Sequence, residues 1–228
     1  MRLRFFENRT EAGRLLANAL ARRKFADPVV LALPRGGIPV AVEVARGLGA
    51  PLDLVLVRKI GCPMQPELAA GAVVDGDCPE IVRNEAIIRE TGTSDAYIEE
   101  EAKRQLSVIE ARRKLWIEGR PLVPVAGKTV IVVDDGIATG ATVRAALHAL
   151  RRQNPKRLVV ATAVAPPDTV ELLQSEADEV IALETPEPFG AIGYFYRDFS
   201  QVDDGEVASM LNAYHAEQSQ RLTSAVEK

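Results

Sequence analysis

One stretch constrains the fold of this chain more than any other: Val130-Ile131-Val132-Val133, followed by Asp134-Asp135-Gly136-Ile137-Ala138-Thr139-Gly140-Ala141-Thr142. Four consecutive β-branched residues read as a strand buried on both faces. Beyond the loop, Val143, Ala146, Leu147 and Leu150 recur at helical spacing, which predicts a helix opening near Thr139. A small-residue loop that runs into a helix collects free backbone N–H groups and the positive end of the helix dipole, so it suits an anion. Asp134 and Asp135 stand at the carboxyl end of the strand, where ligands of open α/β sheets bind. The loop is not a P-loop, because no Lys follows Gly140, and it is not G-x-G-x-x-G. Adjacent acids repel a pyrophosphate laid on them but accept hydrogen bonds from a diol, so phosphate on the loop and hydroxyls on the acids describe a sugar-phosphate site. The plainer alternative is an ordinary strand-to-helix turn with Asp135 or Thr139 as its cap.

The run from Val132 to Thr142 resembles the phosphoribosyl pyrophosphate (PRPP) motif of type I phosphoribosyltransferases. The resemblance implies that Asp134 and Asp135 contact the ribose hydroxyls, while Gly136 and Ala138 to Thr142 wrap the 5′-phosphate. Transferases of the hypoxanthine–guanine type carry an Asp where this chain has Ala138; adenine and uracil transferases share the Ala-Thr-Gly form. The base-protonating Asp is therefore missing, and a general acid or base has to come from elsewhere.

The order of predicted elements extends the match. Asn8 and Glu11 form a capping box ahead of a helix whose face is Ala12, Leu15, Leu16, Ala19 and Leu20. Residues 28–33 read as a buried strand, Pro34-Arg35-Gly36-Gly37 as a turn, and Val40, Ala41, Val44, Ala45 and Leu48 as a helix ending at Gly49. Residues 52–57 form a second strand, so the unit is a right-handed βαβ. Residues 58–77, broken by Gly61, Pro63, Pro66, Gly71 and Gly76, read as a hairpin or flexible arm. Residues 80–118 read as a helical insertion, capped by Ser94 or Asp95. After the motif come a strand over 157–164, a helix capped by Asp168, a strand over 179–183, a small hood over 184–214 and a polar tail over 215–228 that frays. The expected fold is a doubly wound, mostly parallel α/β sheet in one domain of 228 residues, with that insertion and hood.

Arg35, Gly36 and Gly37 end the first strand on the same sheet edge as the acids. Glycines allow close approach to a ligand and Arg35 offers a fork of donors to phosphate oxygens. The resemblance makes this the pyrophosphate loop, often with a non-proline cis peptide. Arg58 and Lys59 end the second strand on that edge, where their charge suits a departing pyrophosphate or is simply solvated. In the arm, Glu67 is the candidate acid, since adenine-type enzymes take a Glu from a flexible loop. Among late aromatics, Tyr194, Phe195 and Tyr196 form a base-stacking platform or pack a flap on the core, and Val164 lines the base pocket by analogy. Arg35, Lys59 and Glu67 are thus the catalytic candidates.

A net charge of −4 and a pI near 5.4 argue against a general nucleic-acid binder. No apolar run is long enough to span a membrane and the N-terminus lacks a signal-peptide core. Cys62 and Cys78 read as free thiols in a reducing cytoplasm. His148 and His215 are isolated, and His148 reads as a surface or packing residue. The expected reaction is transfer of the 5-phosphoribosyl group from PRPP to a nucleobase-like acceptor. Mg²⁺ would be held mostly by PRPP oxygens beside Asp134 and Asp135, and the family implies a homodimer. A PRPP-binding regulatory protein without transferase activity is the alternative, and hydrolytic use of the pocket a third reading.

Overall fold

The computed structural model describes residues 4–76, 79–117 and 119–226. Helix α1 (Arg9–Ala21) opens on Asn8, whose side chain accepts from the Glu11 amide, while the Glu7 amide donates to Glu11. Strand β1 (Pro28–Ala32) leads into α2 (Gly37–Leu48), which Gly49 ends in the left-handed conformation. Strand β2 (Leu52–Leu54) is short, and β3 (Val57–Cys62), β4 (Gln65–Val74) and β5 (Glu80–Arg83) form a separate antiparallel sheet. Two helices follow, α3 (Glu85–Thr91) and α4 (Asp95–Ile117). The chain then re-enters the main sheet through β6 (Thr129–Asp134), α5 (Ala141–Arg152), β7 (Arg157–Val164), α6 (Pro167–Gln174) and β8 (Glu179–Glu184). A 3-10 turn (Ile192–Phe195) precedes the last helix, α7 (Asp204–Val226).

The main sheet has the order β2-β1-β6-β7-β8 with every pair parallel. Its strands are apolar on both faces because both faces are covered. Val30, Ala32, Ile131, Val133, Val159 and Ala161 belong to one apolar cluster with α1 and α2, which lie on the sheet, and α7 packs on α2. The alternating set, Val29, Leu31, Val130, Val132, Leu158 and Val160, faces Val143, Ala146, Leu147 and Leu150 of α5 and Leu173 of α6. Strand order reverses between β1 and β6, so the loops after those two strands diverge over a crevice.

Four expectations are corrected. The second strand stops at Leu54, since the chain leaves the sheet where β1 ends, and Val57 already belongs to the hairpin. Residues 80–83 are strand, with Ile81 and Val82 pairing to Val73 and Ala72; their β-branched side chains found a partner strand that local periodicity does not reveal. Asp168 lies inside the first turn of α6 rather than at its cap, which is Pro166. The tail expected to fray is helix through Val226. No Gly or Pro follows Gly205, and Arg46 grips Glu217 through two bonds of 2.9 and 2.7 Å. The Tyr214 hydroxyl, buried, donates to the Ala50 carbonyl, and that burial raises its pKa to about 12.

A buried ion triad fastens α4 to the core. Arg113 donates Nη1 to Asp75 at 2.7 Å and Nη2 to Asp53 at 2.5 Å, and Asp53 also accepts from the Leu54 and Val123 amides. Burial pushes the Asp75 carboxyl up to about 6 despite its bond from the Leu56 amide and the charge of Arg113. A raised carboxyl pKa means that the folded state takes up a proton before the unfolded state does. Its contribution to stability therefore grows as the pH falls through 6 toward 4. Melting the wild type and Asp75→Asn between pH 7.5 and 5 should show the wild type gaining on the variant as the pH drops. Arg113→Met strands two buried carboxylates and should cost about 3–5 kcal/mol, at about 2–4 °C of melting temperature per kcal/mol.

Candidate active site

Leu33 hydrogen-bonds to Val133 at 2.9 Å, which lays the loop after β1 directly against the end of β6. The Pro34–Arg35 peptide in that loop is cis. Gly36 has φ −59, so conformation does not demand glycine there. Close approach does. A Cβ on Gly36 would run into the Asp135 carboxylate, and one on Gly37 would sit 2.7 Å from the Val133 carbonyl and 3.1 Å from Asp134 Cα. The two glycines and the two acids thus interlock.

The loop after β6 is held from below. Ile137 donates to the Val164 carbonyl at 2.9 Å, and the Thr169 hydroxyl donates to the Ala138 carbonyl at 2.6 Å. Gly136 is pressed under Ile192, leaving no room for a side chain. Gly140 turns the chain into α5 with φ +75, the left-handed region that favours glycine. Neither Asp135 nor Thr139 caps the helix, which has no side-chain cap bond, and the helix opens at Ala141 rather than near Thr139. Ala138, Thr139, Ala141 and Thr142 are exposed. An uncapped helix N-terminus ringed by two hydroxyls is a cradle for an anion.

The acids differ in environment. Asp134 Oδ1 accepts from the Asp135 amide at 2.9 Å, and burial together with the charge of Asp135 holds its carboxyl well above the usual carboxylate range. Asp135 is buried, and Arg9 donates Nε to its Oδ2 at 2.6 Å. Arg9 also donates Nη1 to the Ser200 carbonyl at 2.8 Å and stacks on Phe199 with 3.9 Å to the ring centroid. The Tyr196 hydroxyl donates to the Asp135 carbonyl at 2.6 Å. Burial, then the neighbouring Asp135 charge, raises that phenol above its ordinary value. Arg9, Tyr196 in this role and Phe199 were missed by sequence reasoning. One signal was available for Arg9: a cation in a helix's first turn opposes the dipole, so its charge is expected to be used elsewhere.

The remaining candidates are spread over three places. Arg58 and Lys59 point to opposite faces of the hairpin sheet, as neighbours on a strand do. Arg58 donates to Gln105 of α4 at 3.0 Å, away from the cradle. Lys59 donates to Glu67 Oε2 at 3.2 Å and to the Glu67 carbonyl at 3.1 Å, so the two arm candidates pair with each other. Lys59 also lines a cleft of about 510 Å³ with Ala141, Thr142, Arg144 and His148, between the hairpin sheet and α5. Arg35 points the other way, 3.6 Å from Asp204 at the start of α7. Of the aromatic candidates, Tyr194 is exposed, whereas Phe195 and Tyr196 are buried with Phe6, Ala12 and Val164. Those two offer no open face for stacking, because the N-terminal segment pairs with them through Phe6 and Tyr196. His148 is exposed beside Glu176 and Cys62 is a buried free thiol; Cys78 lies outside the described residues. Among the described residues no group of three or more His, Cys, Asp or Glu could hold a metal ion, and no helix is long and apolar enough to cross a membrane.

The family model described as "phosphoribosyl transferase domain" matches residues 8–197, and the chain belongs to that family. It is 42% identical over 213 residues, 93% of its length, to proteins of Mycobacterium tuberculosis strains H37Rv and CDC 1551 provisionally named phosphoribosyl transferases. Those residues cover 48% of the mycobacterial proteins, so the chain spans about half the length of the curated relatives it matches. The solved structure of TT1426 from Thermus thermophilus shares 46% identity with a TM-score of 0.80, covering 92% of this chain and 99% of that one.

The interlock makes a stability prediction. Gly36→Ala should cost about 1–3 kcal/mol through overpacking, although the backbone there suits alanine. A chemical denaturation curve superimposable on that of the wild type would show that the two loops stand further apart.

Proposed function

We propose that the chain transfers the 5-phosphoribosyl group of PRPP to a nitrogen nucleophile, with release of pyrophosphate. The observation that carries this reading is the uncapped N-terminus of α5, opened by Gly140, beside two adjacent acids that interlock with the Gly36-Gly37 loop. In this reading the amides from Ala138 to Thr142, with the Thr139 and Thr142 hydroxyls, receive the 5′-phosphate, while Asp134 and Asp135 accept from the ribose hydroxyls. The backbone of Arg35, Gly36 and Gly37 lines the pyrophosphate, which the Arg35 and Lys59 side chains reach by leaving Asp204 and Glu67.

At the anomeric carbon the bond to pyrophosphate oxygen breaks as the bond to nitrogen forms, and the acceptor's proton has to leave. Ala138 supplies no acid or base. Glu67, exposed on the arm, is our candidate for that proton, and its pairing with Lys59 links the proton acceptor to the leaving-group cation. Arg58, turned onto α4, anchors the arm at its root. Few protein oxygens are free to ligate a metal, since Arg9 holds one oxygen of Asp135 and a backbone amide holds one of Asp134. That donor set fits Mg²⁺ carried mainly on substrate oxygens and water, where it would neutralise the leaving group. For the acceptor, we read the surface around Tyr194 as the open part of the hood.

The test is incubation with PRPP and Mg²⁺ against a panel of nucleobases, following pyrophosphate release. The wild type should release pyrophosphate with one class of base, and Asp134→Ala/Asp135→Ala should abolish both release and the rise in melting temperature that PRPP causes. Lys59→Gln should retain PRPP binding but lose about 100-fold or more in turnover, as removal of a transition-state donor does. Unchanged PRPP binding by the double variant would overturn the site assignment. A wild type that binds PRPP yet stays silent across the panel would favour a sensor.

A further inference from the structure

Asp135 sits where the proposed reading needs an acceptor fixed in one orientation. Its side chain is 9% exposed, it lies against the second carboxyl of Asp134, and its carboxylate rests on the bare Cα of Gly36. Something must hold the rotamer, and Arg9 meets the requirement in detail. Its side chain is 12% exposed, its Nε is 2.6 Å from Oδ2, and its guanidinium is fixed by the Ser200 carbonyl and the Phe199 ring.

We infer that Arg9 is a positioning residue for substrate binding: by holding Oδ2 of Asp135 it keeps that carboxylate aimed, leaving Oδ1 to a ribose hydroxyl. This rests on the proposed PRPP reading and deepens it. Arg9 acts through Asp135. It belongs to α1, whereas Phe199 and Ser200 belong to the segment before α7, so both ends of the fold meet on the one carboxylate. Lysine would supply the charge but not the planar face that stacks on Phe199 or the second donor that reaches Ser200.

The experiment is a double-mutant cycle read by calorimetric titration of PRPP with Mg²⁺ into wild type, Arg9→Met, Asp135→Asn and the double variant, each checked for folding by circular dichroism. Arg9→Met should weaken PRPP binding by about 10- to 100-fold, the size seen when an outer partner of a ligating group is removed. The double variant should bind no worse than the weaker single variant, because residues acting through one group are non-additive. Arg9→Lys should fall between wild type and Arg9→Met. If Arg9→Met fails to fold, Phe199→Leu, which removes the stack but keeps the guanidinium, should weaken binding in the same direction and lose that effect in the Asp135→Asn background. A purely structural role would lower the melting temperature of Arg9→Met and leave its PRPP affinity at the wild-type value, which overturns the inference. Fully additive losses would also overturn it, placing Arg9 on the ligand directly. A wild type that does not bind PRPP overturns the proposed function itself, and the inference falls with it.

Discussion

The close approach of the loop after β1 to the end of β6 governs the rest of the site. Parallel pairing of these neighbouring strands brings Leu33 onto Val133, and from there the chain has no room for side chains at Gly36 or Gly37. Once the two glycines seat against Asp134 and Asp135, the carboxylates lose solvent on that side. The electrostatics then follow. One acid is held toward its neutral form by burial and by its neighbour, and the other is gripped by a guanidinium brought from the first helix. The helix N-terminus stays open on the far side of the same loop because Gly140 turns the chain without offering a cap.

The same physical device appears twice. Arg9 reaches from α1 to Asp135, and Arg113 reaches from α4 to Asp53 and Asp75, so each peripheral helix is tied to an edge of the sheet by a guanidinium on buried carboxylates. Burying such groups is costly unless every partner is present, which makes the ties specific to one arrangement more than strong in themselves. Arg113 ties the arm's base, since Asp75 follows β4 and Asp53 lies in β2. Arg9 ties the N-terminal and C-terminal segments around the acids. Core and periphery are therefore joined at charged points in addition to the apolar faces of the helices.

What was legible in the sequence was whatever local chemistry determines. The run from Thr129 to Asp134 is apolar on both faces and the helix after it carries its apolar stripe at Val143, Ala146, Leu147 and Leu150, whereas the close approach read for Gly36-Gly37 was to a ligand and the structure shows one to the chain's own acids. What was hidden depends on partners distant in the chain. Strand β5 exists because β4 lies beside it, and its Ile81 and Val82 look equally at home at the start of a helix. Tyr196 looked like a stacking surface because an aromatic side chain shows its apolar body in sequence, whereas its burial follows from Phe6, nearly two hundred residues earlier. Arg9 was hidden for the same reason: its partner Asp135 is 126 positions away, and only its unfavourable place in the first turn of α1 hinted at it.

Strand alternation gives the arm two different faces, and this settles what each of its cations can do. Arg58 opposes Val73, on the face that packs on α4, so its charge is committed to Gln105 and to fixing the root. Lys59 opposes Ala72, on the face turned toward α5, where Gly71 and the small side chains of Ala69 and Ala72 leave the cleft open instead of filling it. A lysine there is flexible and half-exposed, paired only with the fully exposed Glu67, and such a pair is worth little in water. Breaking it therefore costs little, whereas moving Arg58 would dismantle the packing of the arm. Two adjacent basic residues that look interchangeable in sequence are in this way divided into a structural anchor and a loosely held charge.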